Sequence, residues 1–141
     1  MKILIKKLNP EAKIPAYTLA GDAGMDLYSI TDAALAPGEK ISCPTGVAIK
    51  IPEGYVGLIW DKSGLAHKSG ITSIGGVYDS NYTGEYIIGL VNLGKEGYVI
   101  KRGQKIAQLL IQKIESPEIE SVDEMPQTVR GENRFGSTGL N

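Results

Sequence analysis

Turn-forming residues recur every eight to twelve positions along this chain, and that spacing leaves no room for long helices. Pro37-Gly38, Pro52-Glu-Gly54, the stretch 81–84, the stretch 94–97 and Arg102-Gly103 each interrupt an apolar run. Between them lie β-rich segments at 2–8, 40–43, 47–51, 55–60, 86–92, 98–101 and 105–114. Several alternate apolar and polar residues, as in Lys2-Ile-Leu-Ile-Lys6, the period of a half-buried strand. Short strands with regular turns predict an all-β sandwich or jelly roll. Only 63–69, Ser-Gly-Leu-Ala-His-Lys-Ser, looks helical, and it spans two turns at most.

With 141 residues the chain makes one domain with room for a real core. Fifteen basic against sixteen acidic residues give a net charge of −1, which speaks against a general nucleic-acid binder. Any polyanion bound here is small and met by a local cluster. A lone cysteine, Cys43, and a single histidine, His67, exclude a disulfide and a zinc cage. The first eight residues mix charges too closely with apolar residues for a signal peptide, and no apolar run reaches membrane-spanning length. A soluble, intracellular, cytoplasmic protein with no membrane or nucleic-acid partner is expected.

The last twelve residues, Arg130-Gly-Glu-Asn-Arg-Phe-Gly-Ser-Thr-Gly-Leu-Asn141, are polar and glycine-rich yet carry two arginines and the chain's one Phe. A guanidinium fork matches phosphate oxygens. Gly136 and Gly139 let backbone N–H groups approach an anion, and Ser137 and Thr138 add hydroxyl donors. Phe135 offers a face on which a nucleobase stacks. Composition alone equally allows a frayed terminus. Residues 116–127, acidic and with two prolines, read as an extended arm joining a body at 1–127 to a tail at 128–141.

Four interior segments are also unlike core strands. Residues 20–28 read as a loop entering a strand, with Asp22 and Asp26 flanking small residues. At 60–66, Ser63 is expected to cap the short helix with Lys62 just ahead of it, which suits an anion. Residues 75–84 read as a hairpin with Asp79 and Tyr82 beside its tip. Gln108 sits in an otherwise apolar strand, where a buried amide needs partners from a network or a ligand. His67 belongs to a solvated face.

Taken in order, these segments resemble the five motifs of the trimeric dUTPases. Ala23-Gly-Met-Asp-Leu27, Lys62-Ser-Gly-Leu-Ala66, Gly76-Val-Tyr-Asp-Ser-Asn-Tyr-Thr-Gly84, Lys105-Ile-Ala-Gln-Leu109 and the tail from Arg130 to Gly139 cover nearly the whole chain. The resemblance implies a homotrimer of distorted jelly rolls that hydrolyses dUTP to dUMP and pyrophosphate. That activity limits uracil in DNA and supplies dUMP for dTMP synthesis. It implies three interfacial sites, two subunits building each pocket and a third lending its tail. Asp79 is then the general base that activates water for attack on the α-phosphorus. Tyr82 packs under the deoxyribose, and the hairpin backbone from Gly76 onward reads the uracil edge. Ser63, the Gly64 amide, Lys62 and Gln108 meet the phosphate chain. Arg130, Gly136, Ser137 and Thr138 bind the β- and γ-phosphates, and Phe135 covers the base. Asp26 supports the basic residue of the second motif or a magnesium-bound water. Mg2+ is the implied cofactor, held by substrate phosphates and water with no direct protein ligand.

The chain departs from the family pattern in three places: Asp61-Lys62 for Pro-Arg, Asn81 for a second Asp, and Arg134 for Gly before the tail Phe. Loss of one fork contact at Lys62, worth ~1.4 kcal/mol, slows the reaction about tenfold, and Arg134 can offset it. Rival readings are a dCTP deaminase of the same fold, which needs Glu where Asp79 stands, a nucleotide-binding regulatory module, and a jelly-roll coat protein.

Overall fold

In the computed structural model, which describes residues 1–134, ten strands and one helix follow in the order β1 (Leu4–Lys7), β2 (Met25–Tyr28), β3 (Ala33–Leu35), β4 (Lys40–Lys50), β5 (Tyr55–Asp61), α1 (Ser63–Ser69), β6 (Ile71–Ile74), β7 (Val77–Tyr78), β8 (Glu85–Asn92), β9 (Tyr98–Ile100) and β10 (Lys105–Lys113). One sheet has the order β1-β4-β8-β6, a second β2-β10-β5-β7, and β3 pairs with β9. Every pairing is antiparallel. Apolar side chains of the two larger sheets meet in one core: Val47, Ile49, Ile88 and Leu90 from the first, Leu27, Ile59, Ala107 and Leu109 from the second. Each buried Ile or Leu contributes roughly 1.5–3 kcal/mol. This is the all-β jelly roll that the turn spacing predicts, with one short helix.

The segments expected at 40–43 and 47–51 are a single strand. Gly46, at φ +70°, carries the chain through a register shift between Pro44 and Ala48 without ending β4. Residues 25–28, the strand that the loop within 20–28 is expected to enter, form β2, paired to β10 with Asp26 opposite Gln108. The helix has the bounds the sequence suggests, but its cap differs. Lys62 occupies the N-cap position, no side chain among the described residues caps the helix, and Ser63 is its first helical residue. Gly70, left-handed at φ +70°, closes it by donating to the Ala66 carbonyl and leads straight into β6.

After β10 the described chain forms no strand or helix, and Ile119, Val122, Met125 and Val129 lie exposed. No helix among the described residues is long and apolar enough to cross a membrane.

Candidate functional site

Asp79 and Tyr82 stand on the hairpin that follows β7. Gly76 enters it at φ +96°, where a Cβ would sit 3.1 Å from the Ile59 carbonyl oxygen, so only glycine fits. The Ile59 amide donates to the Gly76 carbonyl, and β7 then pairs Val77 with Leu58 and Tyr78 with Gly57. The Tyr82 amide donates to the Asp79 carbonyl and closes the tip. Lys50 braces the turn by donating from Nζ to the Ser80 carbonyl at 2.6 Å. Asp79 is exposed. It borders a cavity of about 420 Å³ shared with Lys50, Glu53 and Tyr55, and a smaller one of about 160 Å³ shared with Val77, Tyr78 and Tyr82. Tyr82 is held by its hydroxyl, which donates to the Glu85 carbonyl at 2.8 Å.

A second cluster forms where β2, β10 and the end of β5 lie side by side. Asp26, only 2% exposed, accepts from Lys62 Nζ on one oxygen and from Lys105 Nζ and Thr18 Oγ1 on the other, at 2.6, 2.6 and 2.7 Å. Burial pushes the carboxyl pKa up, but the hydrogen bonds from Lys105, Lys62 and Thr18 outweigh it and hold the group at about 2. Asp26 makes none of the local turn bonds that a loop aspartate offers. Gln108 donates from Nε2 to the Asp61 carbonyl at 2.8 Å, one of the partners its amide needs. A Cβ on Gly24 would collide with the Gln108 side chain, so that glycine permits the packing.

Asp61 itself faces the other way. It accepts from Thr72 Oγ1, Ser73 N and Ser73 Oγ, and ties the end of β5 to β6 across α1. Burial raises its carboxyl pKa, yet these donors bring it below the usual range. The junction that carries Lys62, Ser63 and Gly64 is therefore fixed from both sides. Space beside Gly64 is open, so its backbone is accessible to a ligand.

The structure brings Lys62, Asp26 and Gln108 together next to Ser63, but it does not bring them to Asp79. The hairpin runs antiparallel to β5, so Asp79 lies beyond the Gly57 level, away from Asp61. Five strand residues separate the two levels, roughly 17 Å at 3.3 Å per residue. Arg130 lies on the exposed terminal segment, with Nε donating to the Asn133 carbonyl at 3.3 Å. Phe135, Gly136, Ser137 and Thr138 lie outside the described residues.

Sequence reasoning missed Lys105. Its signal was a cation, Lys105, opening the Lys105-Ile-Ala-Gln-Leu109 segment. Among the described residues no three His, Cys, Asp or Glu side chains converge to hold a metal. Two ammonium groups around one carboxylate leave that trio with a net positive charge.

A family model described as dUTPase matches residues 10–139. The deoxyuridine 5'-triphosphate nucleotidohydrolase of Clostridium kluyveri is 43% identical over 141 residues, 99% of this chain and 99% of that protein. The protein of the same name from Nautilia profundicola is 46% identical over 141 residues, again 99% of each. Among solved structures, a mutant dUTPase of Staphylococcus bacteriophage 80alpha with dUpNHpp matches with a TM-score of 0.88 at 32% identity, covering 99% of both chains.

Proposed function

The chain belongs to the dUTPase family, and on that premise we propose that it hydrolyses dUTP to dUMP and pyrophosphate through a water activated by Asp79. One observation carries the reading: a hairpin bearing Asp79 and Tyr82 at one end of β5, and a lysine–carboxylate cluster beside Ser63 and Gln108 at the other. The first is equipped to hold a base and a water, the second to hold phosphates. Separated within one protomer, they meet when the hairpin of one copy faces the cluster of another. A homotrimer with interfacial sites supplies that arrangement.

In this reading the Asp79 carboxylate accepts a hydrogen bond from water and takes its proton as the oxygen attacks the α-phosphorus in line. Tyr82, its hydroxyl tied down to Glu85, offers its ring to the deoxyribose and leaves no room for a 2′-hydroxyl. Ser63 Oγ and the Gly64 amide donate to oxygens near the scissile bond. Lys62 and Lys105, anchored on Asp26, stand behind the leaving pyrophosphate with Gln108. Arg130, Ser137 and Thr138 of a third copy close over the β- and γ-phosphates, and Phe135 covers uracil, which excludes bulk water. Mg2+, borne by the phosphates and water, neutralises triphosphate charge when bound. A cytoplasmic setting suits the free, buried Cys43.

The test is pyrophosphate release with Mg2+ from dUTP, run beside UTP, dTTP and dCTP. Fast release from dUTP alone is the expected result. Ammonia release from dCTP would convert the assignment to a deaminase, and tight dUTP binding with no release would make the protein a nucleotide sensor.

A further inference from the structure

β7 is two residues long, and its ladder to β5 joins only Val77 to Leu58 and Tyr78 to Gly57. Val77 is 68% exposed and anchors nothing. Such a short strand is a weak mount for a carboxylate and a ring that need placing to within about 1 Å, since an error of that size costs roughly a hundredfold in rate. The missing rigidity comes from tyrosine side chains. The Tyr78 ring lies flat on Tyr86, with centroids 4.0 Å apart and planes 15° apart. Its hydroxyl donates to the Ile87 carbonyl at 2.7 Å. Tyr82 meets Tyr78 edge-on at 5.8 Å and Tyr86 at 6.2 Å.

Tyr86 is the fixed member of the trio. It is fully buried on β8, its strand is laddered to β4, and its carbonyl accepts from Thr45 Oγ1 at 2.6 Å. Its own hydroxyl has no protein partner among the described residues, so the ring alone accounts for its contacts to the hairpin. Gly84 completes the fit, because a Cβ there would come within 2.5 Å of the Tyr82 hydroxyl. Asp79 follows Tyr78 directly, and Tyr82 leans on the same stack.

We propose that the Tyr78–Tyr86 stack is a positioning device that locks the hairpin to the opposite sheet and sets Asp79 for turnover and Tyr82 for sugar discrimination. The role in turnover rests on the dUTP reading above, whereas the locking of the hairpin does not.

The experiment compares the full-length protein with Tyr86→Leu, Tyr86→Phe, Tyr78→Leu and Tyr78→Phe. It reads amide hydrogen exchange at Tyr82 without ligand, and kcat and KM for dUTP and UTP. Tyr86→Leu removes the ring; Tyr82 exchange rises at least tenfold while β4 amides stay protected. With dUTP its kcat falls more than tenfold, KM moves less than threefold, and preference for dUTP over UTP narrows. Tyr86→Phe keeps the ring and stays within twofold of the parent in every readout. Tyr78→Phe keeps the stack and loses the Ile87 anchor, giving about a threefold rise in exchange and a matching fall in kcat. Unchanged Tyr82 exchange in folded Tyr86→Leu overturns the proposal, and so does unchanged exchange in Tyr78→Leu, which removes the other ring of the stack, should the Tyr86 variant not fold. A parent enzyme inactive on dUTP sinks the functional reading instead, with the exchange data still judging the lock.

Discussion

Asp26 keeps its charge inside a sheet because two ammonium groups and a hydroxyl converge on it. An ordinary Asp titrates near 3.9; this one titrates at about 2 when folded. A depressed folded-state value means that its stabilisation is complete above the unfolded value and is lost as pH falls through the window from about 4 to about 2. Thermal melts of the parent and Asp26→Asn should therefore differ most above pH 4 and converge toward pH 2. A gap that stays constant across that window would assign the acid sensitivity to other groups. Asp79 is the opposite kind of carboxylate, exposed and unclaimed by any cation in the described chain. Asp79→Asn should bind dUTP within a fewfold of the parent while kcat drops by roughly 10²–10⁴, the usual worth of a general base; single-turnover kinetics with a binding titration would separate the two. Both aspartates were visible in the sequence as motif positions. That one would be clasped and the other open was not, because the clasp draws on Thr18, Lys62 and Lys105, far apart along the chain.

Among the elements, α1 was legible to the residue because glycine at 70 and polar flanks mark its ends locally. β4 was not, since Pro44 and Gly46 look like a terminus and act as a bulge that the partner strand β8 carries through. β2 was legible only as the strand that the 20–28 loop enters; its bounds were not, because pairing with β10 sets them. Asp61 stood out only as a departure from the motif, and the fold gives it work, joining β5 to β6 through three hydrogen bonds. Asp61→Ala should cost about 2 kcal/mol, as an anchored junction loses its acceptor, and urea melts would measure it. Activity should fall with it, because Ser63 and Lys62 ride on that junction. The terminal segment is a different case, with its apolar residues exposed along the described part. Truncation after Gln127 should leave the melt and the oligomer unchanged and remove most turnover; normal hydrolysis by the truncated chain would end the argument for the tail.

At the scale of the whole molecule, the hairpin that carries Asp79 and the cluster around Asp26 lie roughly 17 Å apart along β5. Resemblance, not residue pattern, gave the expectation of a trimer, because a distance across a sheet has no local signature. The separation supplies a physical reason for it and a direct check. Chains carrying Asp79→Asn and chains carrying Ser63→Ala, each nearly inactive alone, should regain activity when refolded together, since mixed assemblies contain sites with one intact half from each. No recovery from verified mixed oligomers would place the complete site within a single copy. The same separation also bears on gene dosage. Where every site needs an intact hairpin and an intact cluster from different chains, a chain defective in both spoils its neighbours' sites as well as its own. With half the chains sound and mixing random, about a quarter of the sites would be whole, so a doubly defective chain would lower activity by more than its own share.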